Sequence, residues 1–142
     1  MKLISDDIKH NESMDRKFSF RADNISPHLK WQDAPSQTKS FALSCNDPDA
    51  PVGDWIHWLV CNIPADIEEI SQEGPIPGTE LKNDYGKEEY GGPAPPSGTH
   101  RYFFRIYALN VNNLEDINKN NFMEKVKEHT IESAEIIGLY SA

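Results

Sequence analysis

His100-Arg101-Tyr102-Phe103-Phe104-Arg105-Ile106-Tyr107-Ala108-Leu109 is the clearest strand in the chain, and its reading decides the fold class. With a period of two, His100, Tyr102, Phe104 and Ile106 line one face. Arg101, Phe103, Arg105 and Tyr107 line the other. Phe103, Phe104 and Tyr107 are expected in the core. Upstream, Trp55-Ile56-His57-Trp58-Leu59-Val60-Cys61-Asn62-Ile63 is apolar on both faces, as a central strand would be. Alternation there puts His57, Leu59, Cys61 and Ile63 on one side, with Trp58 and Val60 on the other.

Further out, Ser40-Phe41-Ala42-Leu43-Ser44-Cys45 reads as a strand with Phe41, Leu43 and Cys45 on one face. Ser19-Phe20-Arg21 reads as a shorter strand. Residues 64–99 hold a dense series of glycine and proline, including Gly91-Gly92-Pro93 and Pro95-Pro96, and read as proline-stiffened loops. Loops of that length in a small domain are usually functional. After the central strands, residues 121–137 have helical spacing, with Phe122, Val126 and Ala134 in register and Gly138 placed to stop the helix. The expectation is a mainly β (α+β) fold: one domain over residues 1–142 with a C-terminal helix.

Ten prolines and eight glycines imply many turns, yet three Trp, five Tyr and six Phe cluster in apolar runs, which argues against disorder. The formal net charge is −9, from 23 acidic and 14 basic residues. That balance disfavours a phosphate-backbone binder, which needs clustered Lys and Arg, and also an anionic membrane surface. No apolar run reaches the length of a membrane helix, and the opening MKLISDDIKH has no apolar segment of the kind a signal peptide needs. Cys45 and Cys61 form no CxxC, so a structural zinc site is not expected. The expectation is a cytoplasmic protein with free, buried thiols.

Two segments carry the chemistry. In Asp47-Pro48-Asp49-Ala50-Pro51, each proline forces the residue before it into extended backbone, so the two carboxylates ride on a stiff chain. His57 opens the strand that follows. In Tyr90-Gly91-Gly92-Pro93-Ala94-Pro95-Pro96-Ser97-Gly98-Thr99-His100-Arg101-Tyr102, the paired prolines make a rigid wall without backbone donors, and His100 opens the next strand. If those strand starts are neighbours, two imidazoles, two carboxylates and a tyrosine converge. Carboxylates beside an imidazole fix its tautomer and raise its pKa; burial acts the other way. The expectation is that the carboxylates win at one or both of the histidines.

These two blocks, in this order and separation, resemble the signatures of the phosphatidylethanolamine-binding proteins. Ser26-Pro27-His28-Leu29-Lys30-Trp31 is similar to another stretch of that family. Asn83-Asp84-Tyr85-Gly86 fits its short bacterial, Raf-kinase-inhibitor-like branch, and Ala94 stands where a cysteine is common. The resemblance implies a large antiparallel sheet packed on a smaller sheet, with a peripheral helix. It also implies a surface cavity for a small anion: phosphate, a phosphoryl head group or a carboxylate. By matching position, its members are Asp47, Asp49, His57, Pro95, Pro96, His100 and Tyr102. Arg101, facing away from His100, is assigned to an ion pair.

Three function classes follow. The first is a small-anion-binding protein with a regulatory role, needing neither metal nor cofactor. The second is a hydrolase or metal-assisted acid–base enzyme using the same Asp and His residues. Ser97 has no visible triad partner, which counts against the nucleophilic form. The third, from the resemblance alone, is an inhibitor of a kinase or protease acting through a protein partner. The chain leaves open whether it is a monomer or a homodimer.

Overall fold

The computed structural model describes all 142 residues. Nine strands form two sheets. β1 (Lys2–Ile4), β3 (Leu29–Gln32) and β6 (Glu69–Ile70) make the small one, in the order β1-β3-β6. The large sheet contains β2 (Glu12–Ser13), β4 (Ser40–Asp47), β5 (Trp55–Pro64), β7 (Thr79–Glu80), β8 (Thr99–Leu109) and β9 (Thr130–Ser141). Its order is β2-β9-β8-β4-β5-β7, antiparallel except for the β2–β9 pair.

The large sheet is a middle layer buried on both faces, which is why β5 reads as apolar throughout. One face carries Phe41, Leu43, Cys45, Trp58, Val60, Tyr102, Phe104 and Ile106. It packs against Leu3, Leu29, Trp31 and Ile70 of the small sheet. The opposite face carries Ala42, Leu59, Cys61, Tyr107 and Leu109, covered by Leu114 and by Phe122 and Val126 of the single helix α1 (Phe122–His129). Burying side chains of this size contributes roughly 1.5–3 kcal/mol each before entropy is charged against it, so the two layers fix the sheet from both sides.

Five local expectations are corrected. Ser19-Phe20-Arg21 is not a strand but the end of a 3-10 turn (Arg16–Phe18) and the bend after it. The helix stops at His129 instead of running to about residue 137. Residues 130–141 pair with the whole length of β8, and that sheet pairing outweighs the helical spacing of Ala134. Gly138 therefore stops no helix; a Cβ there would lie 2.6 Å from Met14 Cγ and Sδ, so it lets β9 pack on the N-terminal segment. Ile63 joins Trp58 and Val60, not Leu59 and Cys61. Asn62 takes a left-handed φ of 57° in a β-bulge that resets the alternation. Phe103 is only half-buried, lying between the guanidinium groups of Arg101 and Arg105 at 5.3 and 4.7 Å from its ring centre. No helix is long and apolar enough to cross a membrane.

Candidate functional site

β4 and β8 are antiparallel neighbours, as are β4 and β5, so the end of β4 lies beside the starts of both partners. That topology brings Asp47, Trp55, His57, His100 and Tyr102 to one end of the sheet. A second bulge then aims one of them. Cys45 pairs with Trp58 but Asn46 pairs with Ile56, which leaves His57 as the extra residue. Regular alternation would send His57 to the helix side with Leu59. The bulge turns its ring to the other face, edge-on to Tyr102 at 5.1 Å between centres.

The loop after β7 holds this arrangement. Asn83 is fully buried. Its Nδ2 donates to the carbonyls of His57 and Glu89, and its Oδ1 accepts from the N–H groups of Tyr85 and Lys87. Asp84 accepts from Ile56 N–H and pairs with Lys119. Together they fasten the start of β5 to the loop that carries Tyr85. Gly92 completes the joint. A Cβ on it would come within 1.9 Å of the Phe18 carbonyl oxygen, so only glycine lets the proline-rich segment lie against the N-terminal turn. There Ser19 Oγ and Phe20 N–H both donate to Pro93 O.

The result is a cavity of about 420 Å³ lined by 14 residues. Its polar members are Asp47, His57, His100 and Tyr102, with Arg21 beside them. Its apolar wall is Phe20, Ala50, Pro51, Val52, Trp55, Tyr85, Ala94, Pro95 and Pro96. Phe20 and Tyr85 stack in parallel with centres 4.1 Å apart, and Trp55 meets Tyr85 edge-on. Six of the seven residues inferred from the sequence therefore line one space. Asp49 does not. Its carboxylate takes two bonds from the Arg101 guanidinium, at 2.8 and 2.9 Å, and one from Arg101 N–H, outside the cavity. Those bonds hold the Asp49 carboxyl down at about 2.

Phe20, Arg21, Val52, Trp55 and Tyr85 were not singled out as site residues. Phe20 and Arg21 reach the cavity through long-range bonds to Pro93, which leave no local pattern. Tyr85 had a weak signal as an aromatic residue inside a glycine-rich loop.

The polar groups are asymmetrically satisfied. His100 Nδ1 lies 2.7 Å from Asp47 Oδ2, and Asp47 Oδ1 accepts from Asp49 N–H. His57 Nδ1 lies 2.7 Å from Gly91 O. A carbonyl only accepts, so Nδ1 of His57 bears the proton and its Nε2 is an acceptor. Burial pushes the His57 pKa down, against the smaller upward pulls of Gly91 O and Asp47, so this ring is neutral near pH 7. At His57 desolvation is the larger effect, so this is not a histidine that the carboxylates raise. Tyr102 is 1 % exposed, and its hydroxyl has no partner at full hydrogen-bond geometry, although the Asp47 carboxylate is close enough to act on it. Burial, then the Asp47 charge, raise its pKa, so the hydroxyl keeps its proton and can donate. No three His, Cys, Asp or Glu side chains are grouped to hold a metal ion.

The fold and this constellation define a class, and the comparisons agree on it. Residues 4–141 match the phosphatidylethanolamine-binding protein family, and the chain belongs to that family. It is 43 % identical to a UPF0098 protein of Methanothermobacter thermautotrophicus over 132 residues, 87 % of each chain. It is 39 % identical to the UPF0098 protein YbhB of Escherichia coli, covering 99 % of this chain and all of that one. Among solved structures, E. coli YbcL, described as a new member of the mammalian PEBP family, superposes with a TM-score of 0.94 at 30 % identity. That match covers 99 % of this chain and 98 % of YbcL. A Chlamydia trachomatis homologue gives 0.92 at 33 % identity, over 99 % and 97 % of the two chains.

Proposed function

We propose that this protein binds a small organic anion, through a phosphoryl or carboxylate group, in the cavity between Asp47, His57, His100 and Tyr102, and that its role is regulatory. The observation that carries this reading is the Tyr102 hydroxyl. A buried hydroxyl without a well-formed bond costs about 1–3 kcal/mol, and an acceptor brought into the cavity can supply one in competition with the nearby Asp47 carboxylate. The regulatory part rests on the resemblance to Raf-kinase-inhibitor-like proteins.

The tautomers add a condition. With both Nδ1 atoms engaged, Nε2 of each ring is the atom left for a ligand. In the neutral rings both are acceptors, so Tyr102 is the lone side-chain donor among the four. A dianion also draws on Arg21, which lines the same cavity. Asp47 fixes the His100 ring with Nδ1 toward its carboxylate and leaves Nε2 free, and His57 is kept neutral by burial. Sulfate binding measured calorimetrically at fixed ionic strength, in the wild type and in His100→Ala, tests this. Binding weakened at least about tenfold in the variant is expected. Equal affinity in the two proteins overturns it.

A second reading has one observation in its favour. A histidine held by a buried carboxylate is also how general bases are oriented. The acid–base enzyme differs in needing a substrate hydroxyl or water at His100 Nε2. Turnover of aryl phosphate or ester substrates that is abolished by His100→Ala would select it over simple binding.

A further inference from the structure

A second groove of about 190 Å³ adjoins the cavity. The two share Arg21, Ala94 and Pro95, and the groove adds Arg16, Ser19, Tyr140, Ser141 and the last residue, Ala142. The chain has four arginines. Arg101 and Arg105 are both ion-paired, with Asp49 and Glu135. Arg16 and Arg21 make no ion pair, although the chain carries 23 acidic side chains, and both line this one groove. Asp15, the nearest acid in sequence to Arg16, accepts instead from Lys17 N–H. The bonds from Ser19 and Phe20 to Pro93 tie the segment between Arg16 and Arg21 to the Ala94-Pro95 ridge that both spaces share.

From this we infer that the groove is a second anion subsite and that the ligand carries two acidic groups. One sits against Tyr102 and His100; the other reaches over the Ala94-Pro95 ridge to Arg21 and Arg16. The inference rests on the anion-binding reading of the deep cavity and adds the class of ligand: a two-headed organic anion with a short spacer, rather than free phosphate. Guanidinium groups suit the outer end because their forked donors match phosphate and carboxylate oxygens. The aromatic pair Phe20–Tyr85 gives the spacer an apolar surface.

Calorimetry with two probes tests it: phenyl phosphate, with one acidic head, and 4-carboxyphenyl phosphate, with two. In the wild-type protein the two-headed probe should bind about tenfold more tightly, the worth of one charge-assisted hydrogen-bonded contact. That ratio should fall to about one in Arg16→Gln and in Arg21→Gln, and hold in Lys39→Gln. Lys39→Gln removes the same charge just before β4, at the end of that strand away from Asp47. A wild-type ratio near one, or a ratio that survives both arginine changes, overturns the two-headed ligand. If phenyl phosphate still depends on His100 in that case, only this inference is lost. If its binding is indifferent to His100→Ala, the deep-pocket reading fails and takes this one with it.

Discussion

Nδ1 of His100 lies 2.7 Å from Oδ2 of Asp47, 53 positions away in sequence, with both side chains buried. Asp47 ends β4 and His100 is the second residue of β8. The contact thus exists because two antiparallel neighbours meet where one stops and the other begins. Asp47→Asn keeps the shape and leaves an amide in place of the charge. The ring loses the carboxylate that fixes its tautomer and orientation, so anion affinity should fall. The folded state should lose roughly 2 kcal/mol, typical of a hydrogen bond to a charged group. Urea unfolding and a sulfate titration on the same sample separate the two effects.

His57 makes a different pH prediction. Its folded pKa is depressed by burial below the ordinary value of about 6.5. Protons therefore bind the unfolded chain more readily than the folded one. The stability His57 contributes is present above about pH 6.5 and is lost as pH falls through the folded pKa. His57→Gln keeps a donor for Gly91 O but does not titrate. The difference in unfolding free energy between wild type and variant should shrink as pH drops from about 7 to 5. Parallel curves would show that the slope belongs to other histidines.

Gly92 should tolerate nothing larger. Alanine there puts Cβ against the Phe18 carbonyl, a backbone atom that cannot swing aside. Overpacking of this kind costs about 1–3 kcal/mol, and the displaced segment carries Ala94, Pro95 and Pro96 of the cavity wall. Gly92→Ala should lower both the melting temperature and anion affinity. Gly86→Ala has open space at its Cβ but a φ of +78°, so it pays backbone strain alone and should leave affinity intact.

What could be read from the chain followed local physics. The β4, β5 and β8 runs were legible because they are long and their periodicity is strong. Pro48, Pro51 and Pro95-Pro96 mark stiff walls from composition alone. The site was legible as a set of residue types at strand starts, and family resemblance supplied their convergence. The misreadings all come from contacts distant in sequence. His57 changes face because a bulge against Asn46 inserts one extra residue. Asp49 leaves the cavity because Arg101, 52 positions on, takes both its oxygens. Residues 130–141 are extended because β8 offers a full edge to pair with. Phe20 and Arg21 enter the cavity because Pro93 accepts two bonds from their segment.

The Tyr102 hydroxyl gives the most direct test of the anion-binding account. Tyr102 lines the cavity, and its buried hydroxyl has no partner at full hydrogen-bond geometry, with the Asp47 carboxylate close by. Tyr102→Phe deletes that one oxygen and keeps the ring that packs edge-on to His57. Removing an unsatisfied buried group is neutral or stabilising for the unliganded fold. Its loss should cost the bound anion one charge-assisted hydrogen bond, about tenfold or more in affinity. The measurement is sulfate affinity by calorimetry at pH 6, beside the melting temperature without sulfate. The account predicts an equal or higher melting temperature and at least about tenfold weaker binding. Unchanged sulfate affinity in Tyr102→Phe would contradict it.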